Sequence, residues 1–205
     1  MDYELRYREL VSALKKTWQS LSDKPEETPE GTVRALWFLA AGEPRAIELC
    51  EEGEIRPLSE EAFEFLKALL RQRMEGVPLA HLTGRQCFMN IEMLAGPEAL
   101  IPRKETEILG YAALDTLREK VRVDGGATVI DLCTGCGNLA LALAHHEPGC
   151  QVFAADLSPD AVDLARRNAR HLELEARVSF HVGDLFGPFD HDGFRESVDL
   201  VVCNP

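Results

Sequence analysis

The chain has 205 residues, 22 Lys+Arg against 35 Asp+Glu and a formal net charge of −13. That acid excess works against sequence-independent nucleic-acid binding, which rests on Lys and Arg neutralising phosphates; a local basic patch stays open. At 45% hydrophobic and 28% charged the composition is globular, no apolar run nears the ~20 residues of a membrane span, and the charged start has no secretory h-region.

The first elements read as helical. Tyr7, Leu10, Val11, Leu14 and Trp18 share one helical face. A polar loop is expected over Ser22–Thr28, and Thr28-Pro29 is an N-cap and first-turn pair. Val33, Leu36, Trp37 and Ala40 form the next apolar face. Gly42-Glu-Pro44 is expected to start a short third helix. Ser59 caps a fourth, with Phe63, Leu66, Leu70 and Met74 on its buried side. Residues 1–75 are therefore expected to form a helical bundle of the recognition or docking kind.

Residues 76–104 change character. Cys87, Met89, Ile91 and Met93 alternate with more polar positions, a strand or hairpin pattern. A helix is expected from Glu105 to about Val121, then a turn at Val123-Asp-Gly-Gly126. Strands and helices alternate from there: Thr128–Ile130, a helix from Leu139 to His145, Gln151–Ala155, a helix capped by Ser158-Pro159 to about His171, Arg177–Val182 and Ser197–Cys203. Such alternation builds a parallel α/β sheet, so residues 105–205 are expected to be an α/β domain.

Three strand ends carry chemistry. The first runs into Asp131-Leu-Cys133-Thr134-Gly135-Cys136-Gly137, where glycines let a ligand approach the backbone and a helix N-terminus follows. The second ends in Asp156, an acid well placed to accept both hydroxyls of a ribose. The third ends in Gly183-Asp184-Leu185-Phe186. Together they point to an adenosine-containing ligand. The loop lacks the Lys and Ser/Thr of a P-loop, which argues against a triphosphate. Ala140 stands where a dinucleotide fingerprint has its third glycine, which disfavours NAD. Cys133-x-x-Cys136 has no second pair at zinc spacing and reads as two small turn residues. The six histidines show no metal spacing, and His145-His146 reads as a surface pair. No metal and no disulfide framework is expected. Arg103, Glu105 and Glu107 fit either a solvated helix start or a role near the pocket.

These stretches carry a resemblance. The Asp131–Gly137 loop, Asp156-Leu157-Ser-Pro-Asp-Ala-Val with Ala-Arg-Arg-Asn168, Gly183-Asp-Leu-Phe186 and Val198-Asp-Leu-Val-Val-Cys-Asn-Pro205 resemble a class I S-adenosylmethionine methyltransferase with its Rossmann-like domain. More narrowly the chain resembles the HemK/PrmC family of protein N5-glutamine methyltransferases, which act on peptide chain release factors. Glu75-Gly-Val-Pro-Leu-Ala-His-Leu-Thr-Gly84 is similar to that family's interdomain segment, and Leu100-Ile-Pro-Arg-Lys-Glu-Thr-Glu107 to its signature before the catalytic domain. The resemblance covers nearly the whole chain.

The resemblance implies S-adenosylmethionine as cofactor and a cytoplasmic enzyme. It implies that Asp131, Cys133, Thr134, Gly135, Cys136 and Gly137 hold the methionine part, Asp156 with Leu157 the ribose, and Asp184 with Leu185 the adenine. Asn204 and Pro205 would be catalytic and begin an Asn-Pro-Pro-Tyr motif, with Asn204 also beside the cofactor. The family usually has Gly at Cys133; a branch acting on a ribosomal protein is similar to this chain in having Leu-Cys-Thr-Gly there. The chain stops at Asn204-Pro205, so it is expected to be a fragment, its methyltransferase domain incomplete at the C-terminus, and by itself a poor enzyme. Three other readings stay open: a ribosomal-protein glutamine methyltransferase, an adenine-N6 nucleic-acid methyltransferase, and a non-catalytic cofactor-binding module.

Overall fold

The computed structural model describes residues 3–18, 24–51, 53–191, 193–194 and 196–205. Ser22 and Asp23 of the expected polar loop lie outside the described residues. The chain divides into two compact units, Met1–Cys87 and Phe88–Pro205.

The first unit is helical: α1 (Tyr3–Lys15), α2 (Pro29–Ala40), α3 (Glu60–Met74) and a short α4 (Leu79–Thr83). The start of α2 follows from its cap, since the Thr28 hydroxyl accepts the Gly31 N–H at 3.0 Å. The Ser59 hydroxyl does the same for the Ala62 N–H at the start of α3. Trp37 anchors the core at 1% exposed. Tyr7 and Phe63 stand edge-on to it at 6.0 and 6.2 Å between ring centroids, the arrangement aromatic quadrupoles favour.

Three expectations fail in this unit. The third helix is only a single 3-10 turn, Ile47–Leu49. Long-range donors hold that segment in place of an intrahelical ladder: Arg34 donates to the carbonyls of Cys50 and Gly53, and Trp37 Nε1 to that of Arg56 at 2.8 Å. Met74 is 53% exposed, and the buried stripe of α3 is Leu66, Leu69 and Leu70. At the end of α3 the covered position belongs to Arg73, whose guanidinium meets the buried Glu27 carboxylate at 2.6 Å. Finally, α4 stands where only extended structure was expected. It begins after Pro78 and ends at Gly84, whose φ of +66° is left-handed.

The chain enters the second unit through the hairpin of β1 (Arg85–Phe88) and β2 (Ile91–Leu94). Met89 and Asn90 form its two-residue turn with φ of 47° and 63°, the primed geometry that matches strand twist. The turn reverses the expected alternation on its first strand. Gln86 and Phe88 are buried and Cys87 is half-buried, because a two-residue turn breaks the period of two.

Then follow α5 (Lys104–Asp124), β3 (Ala127–Leu132), α6 (Asn138–His146), β4 (Cys150–Asp156), α7 (Pro159–His171), β5 (Val178–Val182), a 3-10 turn at Gly187–Phe189, and β6 (Leu200–Cys203). The four strands from β3 to β6 make one parallel sheet in the order β5-β4-β3-β6. Val129, Val152, Ala154, Phe180 and Val202 share a buried cluster with α5, α6 and α7. Alternate residues Ile130, Leu132 and Ala155 cluster with Phe189 instead, against Phe194 and Val198. Asp199 sets the β6 register: its carboxylate accepts the Thr128 N–H at 2.7 Å and its own N–H donates to Thr128 O at 2.9 Å. None of the described helices is long and apolar enough to cross a membrane.

Candidate active site

A parallel sheet brings all its strand C-terminal ends to one edge. From β3 the chain steps outward through β4 to β5, then crosses back to put β6 on the other side of β3. That reversal is a topological switch point, where open α/β sheets hold ligands. Cys203 pairs with Leu132 in the ladder, so Asn204-Pro205 leaves β6 beside the start of the glycine loop. Cys203, Asn204 and Pro205 are all exposed.

Asp131 organises the loop from beneath. It is fully buried, and its Oδ2 accepts the Thr134 hydroxyl at 2.6 Å and the Ala140 N–H of α6 at 3.2 Å. Its Oδ1 is buried without a partner. Burial, opposed by those two hydrogen bonds, pushes its carboxyl up to about 7.

Cys133, Gly135 and Gly137 carry φ of 58°, 55° and 84°. The turn thus uses the left-handed region three times, which explains the glycines and makes Cys133 the costly member. A Cβ at Gly137 would lie 2.9 Å from Phe180 and 3.1 Å from Ala165, so this glycine lets α6 approach β5 and α7. A Cβ at Gly135 would meet nothing within 4 Å, which leaves the loop backbone open to a ligand. Thr134 and Cys136 are 3% and 1% exposed, so these two side chains support the loop from inside the protein.

Asp156, at the end of β4, closes the other side. Its Oδ2 accepts the Gly135 N–H at 2.8 Å and its Oδ1 the Ser158 N–H at 2.9 Å. Each oxygen keeps acceptor capacity, since a carboxylate offers about four lone-pair sites. Leu157 is 72% exposed next to it. Gly183 N–H donates to Asp156 O at 3.0 Å, tying the β5 end to the β4 end. Asp184 and Leu185 are exposed on that next strand end, with Leu185 at φ 44°.

Several structural partners were invisible in the spacing. Asn204 Nδ2 donates to the Thr106 hydroxyl at 3.0 Å. Asn168, fully buried in α7, donates to Cys136 O at 3.0 Å and accepts the Leu94 N–H at 2.7 Å, so one side chain joins the glycine loop to β2. His145-His146 is not simply a surface pair: His146 Nε2 bonds Met89 O at 2.8 Å. Glu107 accepts the Met89 N–H at 3.0 Å, a structural use of a residue left open above. Gly110 gives Met89 room, since a Cβ there would sit 2.3 Å from the Met89 sulfur. Among the described residues no group of three His, Cys, Asp or Glu is arranged to hold a metal.

The family profile described as "Methyltransferase domain" matches residues 123–205. The Release factor glutamine methyltransferase of Escherichia coli (strain K12) is 38% identical over 205 residues, covering 100% of this chain and 66% of its own length. That of Moorella thermoacetica is 38% identical over 176 residues, covering 86% of this chain and 58% of its own. The chain therefore spans about two-thirds or less of these relatives. Among solved structures, a SAM-dependent methyltransferase from Thiobacillus denitrificans in complex with S-adenosyl-L-homocysteine overlaps 45% of this chain and 35% of its own, at 32% identity and a TM-score of 0.35. An overlap that small carries no argument. The domain match covers the whole strand edge just described, and the identity to the curated relatives extends through the helical unit: the chain belongs to the release factor glutamine methyltransferase family, and its second unit carries the class I methyltransferase fold.

Proposed function

We propose that this chain is the cofactor-binding and recognition part of an S-adenosylmethionine-dependent methyltransferase that modifies a glutamine side-chain amide in the Gly-Gly-Gln loop of a peptide chain release factor. The observation that carries it is the pairing of Leu132 with Cys203, which brings Asn-Pro and the glycine loop to one switch point. The residues fit the cofactor. The open backbone at Gly135 suits the methionine part, the spare acceptor capacity of Asp156 suits ribose hydroxyls, and exposed Leu157 and Leu185 suit a flat adenine. When bound, the cofactor supplies a sulfonium methyl that is already activated.

The protein's task is then positioning. An amide nitrogen is a poor nucleophile because its lone pair is delocalised into the carbonyl. The Asn204 Oδ1 and the Pro205 carbonyl each accept one N–H of the glutamine amide, which fixes the amide and favours charge developing on nitrogen. Because Asn204 Nδ2 is occupied by Thr106, its Oδ1 is the atom left to face a substrate. Asp131, Thr134 and Cys136 act on the cofactor through the loop they hold. Residues 1–75 serve as the recognition domain, 76–104 as the connector and 105–205 as the transferase domain. The enzyme works in the cytoplasm, and its −13 charge suits a protein substrate better than DNA.

The test is a single-turnover incubation with cofactor labelled in the methyl group and a mixture of release factor, ribosomal protein and DNA. Slow, partial label on the release-factor glutamine is expected. Label on the ribosomal protein or DNA overturns the substrate, and label on none overturns methyl transfer by this chain.

A further inference from the structure

We propose that Cys133 and Cys203 form a reversible disulfide that joins the ends of β3 and β6 at the entrance to the glycine loop. Nothing in the methyl-transfer chemistry needs a thiol at either position. Cys203 sits opposite Leu132 in the parallel ladder, and Cys133 is the next residue, turned by a left-handed φ of 58°. The two cysteines therefore lie on neighbouring strand ends. Neighbouring strands lie about 4.8 Å apart, within the roughly 4.4–6.8 Å Cα separations a disulfide accepts.

Ladder register and accessibility together select this pair. Cys203 is exposed and Cys133 half-buried; Cys87 on β1 is equally half-buried, and Cys50, Cys136 and Cys150 are buried. Cys136, the neighbour suggested by the Cys-x-x-Cys spacing, is 1% exposed and its sulfur faces Asn138 Oδ1 at 3.9 Å. The bridge therefore runs across the sheet and not along the chain. Burial, and after it the adjacent Cys203 thiol, holds Cys133 above the usual thiol range. The exposed Cys203 is thus the thiol that reacts first, and Cys133 resolves.

The oxidant is a low-molecular-weight disulfide such as oxidised glutathione. The Cys203 thiolate attacks one of its sulfurs and expels a glutathione thiolate. The Cys133 thiolate then attacks the Cys203 sulfur of the mixed disulfide and expels the second glutathione. The cysteines lose two electrons and two protons together, and the glutathione disulfide leaves as two thiols. A bridge of this type acts as a redox switch and not as a structural staple. Its consequence rests on the cofactor reading above: Cys133 opens the loop and Cys203 precedes Asn204, so the bond pins both and weakens cofactor binding.

Purified protein is incubated with oxidised glutathione, remaining thiols are alkylated, and intact mass and tryptic peptides are measured. The expected result is loss of two hydrogens and a cross-link between the peptide spanning 123–166 and the peptide beginning at Glu196. Dithiothreitol reverses it, and Cys203→Ser lacks it. A bridge confined to the 123–166 peptide, glutathione adducts alone, or unchanged mass overturns the pair. Calorimetry then compares S-adenosylmethionine affinity before and after oxidation. A drop of about tenfold or more is expected, with Cys203→Ser unaffected by the oxidant. Equal affinity overturns the switch. A reduced protein that binds no cofactor overturns the cofactor reading, while the peptide map still decides the disulfide.

Discussion

The Asn204 side-chain amide donates to the Thr106 hydroxyl at 3.0 Å across 98 residues of sequence. This bond holds the nitrogen end of the side chain. If the nitrogen is held by α5, the oxygen is presented, and an oxygen is what a substrate N–H requires. Thr106→Val therefore removes the orientation and keeps the side-chain volume. We expect the Asn204 side-chain NH2 resonances in a 15N spectrum to shift toward those of a free amide, with S-adenosylmethionine affinity within about twofold of wild type. Thr106→Ser restores the resonances. Unmoved signals in Thr106→Val contradict a positioning role for Thr106.

Asn168 is a second long-range tie. Its amide serves both the Cys136 carbonyl and the Leu94 N–H from a fully buried position. Asn168→Ala leaves these backbone groups without that partner, which costs about 1–3 kcal/mol for a buried group. An unfolding free energy lowered by that amount in a urea titration is expected, and a change under about 0.5 kcal/mol, the range of a surface substitution, rules the hub out.

The two loop glycines separate stability from binding. Gly137→Ala puts a methyl 2.9 Å from Phe180 at φ 84°, so it strains the backbone and crowds the core together. A loss of at least about 2 kcal/mol is expected from strain of about 1–2 kcal/mol plus overpacking. Gly135→Ala meets no neighbour within 4 Å and carries only the backbone strain, about 1–2 kcal/mol. Its methyl stands on the open face of the loop, so cofactor affinity is expected to fall more than stability does. Equal stability losses in the two variants contradict the packing account.

Asp131 gives stability a particular pH dependence. Its folded pKa is raised from 3.8 to about 7, so between those values the folded state binds more protons than the unfolded state. Its contribution is most favourable below the unfolded value and is lost as pH rises through about 7. Asp131→Asn keeps an oxygen acceptor and cannot ionise. Its stability relative to wild type should rise from pH 4 to pH 7 and then level off, by up to about 4 kcal/mol at the ceiling of 1.36 kcal/mol per unit. A difference independent of pH in denaturant titrations contradicts ionisation at this site.

Short-range chemistry was readable from the chain, and long-range contacts were not. Thr28, Ser59 and Ser158 announce helix starts because a cap bonds an N–H three residues on, and all three do so. The parallel sheet was legible because each strand end and each following cap is local. The segment around Ile47 was misread because Arg34 and Trp37, more than ten residues away, hold its carbonyls. The buried face of β1 was misread because a period of two was carried through a turn that interrupts it at Met89 and Asn90. Thr106, Asn168 and His146 were missed for one reason: each meets a partner more than 50 residues distant, and no spacing rule reports such a meeting.

The central claim is that the Asp131–Gly137 loop and Asp156 together bind S-adenosylmethionine. Calorimetric titration of purified wild type and Asp156→Ala tests it most directly. The account predicts one-to-one binding by wild type. It predicts a loss of about 100-fold or more in the variant, since charge-assisted hydrogen bonds of about 1.5–3 kcal/mol each are removed. Unchanged affinity in Asp156→Ala, or no binding by wild type, would contradict it.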